Sequence, residues 1–138
     1  MRCMTTALRV FGILALLSVG PAWAHHSFAM FDQTKKVTLK GSVVEFQWTN
    51  PHAFLHVEVR DGAQKTNWHV QLNSPNNLRR QGWKATSVKA GDAVTVVINP
   101  LRDGTPGGLF VSVKLPDGTT LGDATQAGGG PVNVPSAN

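Results

Sequence analysis

The feature that most constrains this chain is a period of two in its apolar residues. Val37, Leu39, Gly41 and Val43 alternate with other residues, after which the apolar parity switches to Val44, Phe46 and Trp48. Side chains on a strand point alternately to opposite faces, so the run predicts a half-buried strand and the switch predicts a β-bulge near Gly41 to Val44. Ala53, Leu55, Val57 and Val59 alternate with His52, Phe54, His56 and Glu58 in a second strand, Asp61-Gly62 marks a turn, and Trp68, Val70 and Leu72 alternate with Asn67, His69, Gln71 and Asn73 in a third. The last two return on each other most simply as an antiparallel hairpin. Pairing Arg60 with Lys65 around a four-residue turn sets His56 opposite His69, Trp68 opposite Val57 and Val70 opposite Leu55, although a shift of two residues keeps the same faces.

Ser74-Pro75 has the N-cap and first-turn chemistry of a helix, Leu78 and Arg79-Arg80 fill a turn or two, and Gly82 can end it. Val88 to Asp92 reads as a tight turn into a fourth strand with Val94, Val96 and Ile98 inward, closed by Asn99-Pro100. Asp103 to Gly108 is a dense turn signal, after which Leu109, Val111, Val113 and Leu115 alternate as a fifth strand that Pro116-Asp117-Gly118 ends. Three strands, a short helix and two strands predict an all-β chain: a small OB-fold-like five-stranded barrel with one short helix between strands three and four. The binding face of such a barrel is usually built on strands two and three. An open β-sandwich fits the same alternation, because closure depends on strand tilt and shear. Trp83 is expected to cap the barrel beside the helix.

Outside the barrel, residues 1–24 read as a secretory signal peptide. Arg2 and Arg9 form a basic start, Val10 to Gly20 an apolar run, and Ala22-Trp23-Ala24 a small-residue cleavage site. Cleavage after Ala24 predicts a periplasmic or secreted protein. The apolar run is short of the roughly 20 residues of a membrane span, and no second run follows, so the mature chain is expected to lack a transmembrane segment. Residues 25–36 form an N-terminal segment, 37–121 the barrel, and 122–138, with Gly128-Gly129-Gly130-Pro131, a tail expected to be disordered. The only cysteine, Cys3, leaves with the signal, so neither disulfide nor thiol chemistry is expected. The formal charge of +5 drops by two with Arg2 and Arg9, the remaining basic residues are dispersed, and nucleic acid is not an expected partner.

The cut makes His25 the new N-terminus with His26 behind it, and a free α-amine beside an imidazole is a chelating pair. The remaining histidines of the five are His52, His56 and His69. His52 and His56 are about 13 Å apart along one strand, too far to share an ion. His56 and His69, if directly opposed, have Cβ atoms about 4.5 to 5.5 Å apart and can share one. Imidazole nitrogens without thiolate favour copper among divalent ions. The predicted metal ligands are therefore His25, His26, His56 and His69, with Asp32 or Glu58 as auxiliary carboxylates and His52 as a turn residue. The alternative is an interaction module that binds an envelope protein or a small polar ligand without metal, on a face made by Trp48, His52, Phe54 and Gln71. Plain surface histidines and packing aromatics are the bland account of both sets. Enzyme activity is not expected: the chain offers no cysteine nucleophile after cleavage, no Gly-x-Ser-x-Gly elbow and no close carboxylate pair, and its glycine runs do not sit between a strand and a helix start. Glu45 and Glu58 read as solvated strand residues.

At His25 to Asp32, at Glu45-Phe46-Gln47-Trp48-Thr49-Asn50-Pro51-His52-Ala53 and at Gly82-Trp83, the chain resembles a family of small exported bacterial proteins of unknown function, over His25 to about Leu121. The resemblance implies a periplasmic β protein marked by the His-His-Ser-Phe start and the Trp-Thr-Asn-Pro-His segment. It implies no activity, substrate or catalytic residue.

Overall fold

The structure is a computed structural model and describes residues 28–123. In chain order it holds β1 (Val37–Gln47), β2 (Phe54–Asp61), β3 (Gln64–Gln71), α1 (Pro75–Arg80), β4 (Ala93–Pro100), β5 (Gly107–Lys114) and β6 (Thr120–Gly122). The strands lie side by side as β3-β2-β1-β4-β5-β6, and a further pairing of β3 with β5 joins the two sides of the sheet. That pairing is parallel, His69 to Gly107, Val70 to Gly108 and Gln71 to Leu109, while the others are antiparallel. Five strands thus close into a barrel, the OB-like order expected, and the open sandwich is set aside. Among the described residues no helix is long and apolar enough to cross a membrane.

The apolar alternation becomes the barrel interior. Leu55, Val57, Val70, Val96, Ile98, Phe110 and Val113 are fully buried in one cluster with Leu39, Val43 and Leu72. At about 1.5 to 3 kcal/mol for each fully buried large aliphatic or aromatic side chain, this cluster is the main stabilising term of the fold. The helix α1 closes the cluster with Leu78. Its cap follows the chemistry expected, with the Ser74 hydroxyl accepting from the Asn77 amide at 3.4 Å and Pro75 in the first turn. Gly82, at φ +89°, then takes the left-handed conformation that ends the turn cheaply only for glycine. Trp83 packs edge-on against Phe110 at 5.4 Å and tilts against Phe46 at 6.1 Å, and its Nε1 donates to the Gly122 carbonyl at 3.2 Å.

Four expectations are corrected in detail. The bulge in β1 falls where the parity changes: Val43 faces Val57 and Glu45 faces His56, so Val44 is the extra residue and is 49% exposed rather than inward. The same device operates in β5. Ile98 faces Phe110 and Val97 faces Ser112, so Val111 is the bulged residue, and Phe110 rather than Val111 enters the core. The hairpin turn is tighter than expected, because Asp61 pairs with Gln64 and leaves Gly62 and Ala63 as a two-residue turn with Gly62 at φ +57°. Finally, the chain pairs once more after Gly118, as β6 along β5, and Asp123 is buried. The signal segment, the pair His25 and His26, and residues 124–138 of the tail lie outside the described residues.

Before β1, residues 28–36 run along the outside of the barrel. Phe31 forms an isolated antiparallel bridge with Leu101; the Asp32 amide donates to the Pro100 carbonyl at 2.8 Å, and the Arg102 amide to the Met30 carbonyl at 2.9 Å. The Asn99 side-chain amide donates to the Lys35 carbonyl at 2.7 Å. Asn99 and Leu109 oppose each other on the side of the sheet away from the core, yet both are buried, and Asn99 is held against this segment by its bonds to the Gln33 and Lys35 carbonyls.

Candidate functional site

Leu55, Val57 and Val70 point into the core, so alternation turns Phe54, His56, His69 and Gln71 outward. The hairpin register is the one expected: His56 faces His69, with Leu55 facing Val70 and Val57 facing Trp68. The imidazole centroids of His56 and His69 are 4.7 Å apart at an interplanar angle of 87°. Cross-strand pairing continues on both sides, giving a row Glu45, His56, His69, Gly107 and below it a row Gln47, Phe54, Gln71, Leu109. Glu45 reaches His56 only because the β1 bulge advances the register by one residue. Sequence reading treated Glu45 as merely solvated and missed this neighbour; the parity switch at Val44 was the signal that could have located it.

The pair is electrostatically distinctive. Burial first, and then the neighbouring His69, hold the His56 imidazole below its ordinary value of 6.5, with Glu45 acting in the opposite sense. His56 is therefore neutral at pH 7, the form that offers a lone pair to a metal. Its Nε2 is buried and has no hydrogen-bond partner among the described residues. An imidazole nitrogen about 2.0 Å from a metal sets its ring centroid roughly 3 Å from the ion, so a centroid separation of 4.7 Å suits two adjacent ligands of one cation. Two ligands are half a site. Among the described residues no group of three or more His, Cys, Asp or Glu side chains is disposed to hold a metal.

The auxiliary carboxylates are engaged elsewhere. Glu58 pairs with Arg60 at 2.9 Å and Lys65 at 3.7 Å. Asp32 accepts from the Thr34 hydroxyl at 2.6 Å and pairs with Lys35 at 3.3 Å, and the Thr34 bond leads the interactions that hold its carboxyl below the ordinary carboxylate value.

The second predicted face comes together in part. Phe54 and Gln71 are directly opposed on the outer surface. Trp48 is not with them. The bulge turns Phe46 and Trp48 inward, so Trp48 packs edge-on against Phe46 at 5.6 Å beside the core, with the Arg79 guanidinium 5.8 Å from its ring centre. His52 lies in the turn between β1 and β2, where its carbonyl accepts from the Thr49 hydroxyl at 3.0 Å. The turn bond expected there goes to the backbone and not to the ring, whose Nδ1 is buried and unpartnered among the described residues, as is Trp48 Nε1.

Gly107 and Gly108 read in the sequence only as part of a turn. Both are places of close approach. A Cβ on Gly107 would lie 2.8 Å from Leu101 Cδ1 and 3.0 Å from the His69 carbonyl, and one on Gly108 would lie 2.7 Å from Ile98 Cδ1. Gly107 lets β5 lie against β3 at the His69 carbonyl, and Gly108 lets it lie against β4, where a Cβ would also meet the Asn99 carbonyl at 2.5 Å, so a side chain at Gly108 forces the strands to shift.

A small closed OB-like barrel with a histidine pair on the outer face of its second and third strands is thus the class defined by fold and surface. The chain belongs to the Family of unknown function (DUF6152), whose model matches residues 14–112. The matched span takes in the three segments on which the resemblance was based, beginning upstream of His25 and stopping short of Leu121. Among solved structures, the mitochondrial single-stranded DNA binding protein Rim1 of S. cerevisiae is similar in two crystal forms. One has 13% identity and a TM-score of 0.46 over 59% of this chain and 93% of that one; the other has 11% identity and a TM-score of 0.47 over 59% and 92%. No curated protein matches the chain.

Proposed function

We propose that this is an exported, periplasmic binding protein that holds a divalent metal, copper first among the candidates, through His56 and His69 together with His25 and His26 at the mature N-terminus. The observation that carries the reading is the opposed His56 and His69 pair, with ring centres 4.7 Å apart and a buried His56 Nε2 that has no hydrogen-bond partner among the described residues. A buried nitrogen without a partner carries a desolvation cost of about 1–3 kcal/mol that a bound cation would relieve. Nitrogen donors without thiolate support copper on affinity order. The charge of the face favours a small cation over nucleic acid: it carries Glu45 and Glu58, and Arg60 and Lys65 are engaged with Glu58.

The test is Cu(II) titration of the mature protein by calorimetry and electron paramagnetic resonance, after mass spectrometry has established that His25 is the first residue. A tight site with nitrogen couplings that loses affinity in His56→Ala and in His69→Ala is the expected result. The reading is overturned if copper binding is absent or is unchanged in both variants.

A second reading is supported by Phe54 and Gln71 on the outer surface, with His52 Nδ1 in the adjoining turn lacking a hydrogen-bond partner among the described residues. Here the hairpin face binds a small polar ligand or an envelope protein without metal. It predicts binding that survives chelator and fails in Phe54→Ala; chelator-sensitive binding that Phe54→Ala leaves intact would reject it.

A further inference from the structure

We infer that the outer face of β1, β4 and β5 carries an anion site, in which Lys40, Thr95 and Lys114 hold the phosphate group of a phosphate-bearing ligand. The site shares no residue with the hairpin face and does not depend on the metal reading.

Strand pairing assembles it. Lys40 is the ladder partner of Thr95, and Thr95 is the ladder partner of Lys114, so the three form one row across three strands. Leu39, Val94, Val96 and Val113 are buried in the core, and alternation therefore turns all three members of the row outward. Two strand spacings, about 9.5 Å, separate the two lysine backbones, with the threonine midway between them. Lysine carries its charge on a flexible four-carbon stem, so both ammonium groups can swing over the Thr95 hydroxyl. The adjoining rows, Ser42 with Ala93 and Thr38 with Val97 and Ser112, bear no charge. Along β1, Lys40 lies five residues from Glu45, about 16 Å from the row that holds His56 and His69.

Charge and shape then select the ligand. Ion pairs among the described residues engage Lys35, Arg60, Lys65 and Arg102 with Asp32 and Glu58, and neither Lys40 nor Lys114 takes part in one. The carboxylates nearest in the chain to Thr95 and Lys114 are held in turns: Asp92 accepts from the Lys89 amide at 2.9 Å and Asp117 from the Thr119 amide at 2.8 Å. The row lines a groove of about 370 Å³ that no carboxylate side chain borders. Two like charges on either side of one hydroxyl repel each other, and an anion between them replaces that repulsion with two attractions. A carboxylate brings two oxygens and a single charge. A phosphate monoester brings three strong acceptor oxygens and a charge of about −1.5 to −2, which matches two ammonium groups and a hydroxyl. Ala93 and Leu115 add apolar surface to the lining, where a small organic group beside the phosphate can rest.

The test follows backbone amide and lysine Nζ signals by NMR while the purified protein is titrated with inorganic phosphate and with glycerol 3-phosphate. Co-sedimentation with vesicles of phosphatidylglycerol forms a second arm. Saturable shifts centred on Lys40, Thr95 and Lys114, weakening as sodium chloride is raised, are expected with glycerol 3-phosphate and identify a soluble ligand. Binding to the vesicles alone, lost in the same variants, supports the same row with a lipid headgroup as the source of the phosphate. Lys40→Gln and Lys114→Gln should each lower affinity about tenfold or more, and Thr95→Val by less, since a bond to a charged group is the stronger. Lys84→Gln, at an exposed lysine outside the groove, should leave binding unchanged. Both groove variants should keep the parent's urea midpoint, which separates a lost ligand contact from a lost fold. The inference is overturned if neither the soluble phosphates nor the vesicles bind, or if Lys40→Gln, Lys114→Gln and Lys84→Gln weaken binding alike.

Discussion

The two faces of one hairpin differ sharply. Leu55, Val57 and Val70 point inward, are fully buried and carry no polar atom beyond a backbone that β1, β2, β3 and β5 pair in register. Phe54, His56, His69 and Gln71 stand on the same strands and point outward, and there His56 Nε2 is buried without a hydrogen-bond partner among the described residues. Hydrophobic burial accounts for the inner face completely. It does not account for the outer one, since a barrel gains nothing from burying an imidazole nitrogen that no group among the described residues hydrogen-bonds. That difference is why the outer face is read as a place for a ligand.

The largest expected effect lies on the inner face. Leu55→Ala should cost about 2–5 kcal/mol in urea denaturation, because the interior can collapse only partly around the cavity. Phe54→Ala, half-buried on the outer side of the same strand, should cost about 1 kcal/mol, in proportion to the smaller area removed from water; equal losses at the two positions would erase the distinction between the faces. Gly41→Ala should destabilise by about 1–3 kcal/mol, because its Cβ would collide with the Glu58 carbonyl across the β1–β2 ladder, and circular dichroism with denaturant would detect this.

The next experiment reverses the sign. His56→Leu removes the unpartnered nitrogen and should raise stability by a few tenths of a kcal/mol or more while copper affinity is lost. A variant that loses stability instead would show that the imidazole is satisfied within the fold.

The smallest effect is in pH. His56 is held below its ordinary value in the folded state, so the unfolded chain binds the proton more readily; stability is unaffected above about pH 6.5 and declines as pH falls below that value toward the folded one. In His69→Ala one cause of the depression is removed, so the His56 titration seen by NMR should move up toward 6.5, and an unmoved titration would show that burial alone sets it.

Much of the barrel was legible in the sequence because a period of two reports burial directly. Ser74-Pro75 and Gly82 marked both ends of α1, and the hairpin register followed from matching two apolar faces. Both bulges were harder. Apolar parity located the one in β1 but assigned Val44 inward, since alternation cannot say which of two adjacent residues is the extra one. In β5, Val111 looked like the next core residue although Phe110 takes the place, because a bulge is set by what the partner strand offers opposite it. Strand β6 was missed because Thr120–Gly122 has no apolar alternation, and its order comes from pairing with β5.

By itself the sequence determined that short strands and one helix must share a single core, and it placed His56 and His69 on the outer face of one hairpin, since alternation and turn chemistry act over neighbouring residues. Tertiary structure alone decided that β3 meets β5, that Glu45 comes beside His56, and that Phe31 is fastened across Leu101. Those outcomes depend on contacts between residues far apart in the chain, which local patterns do not encode.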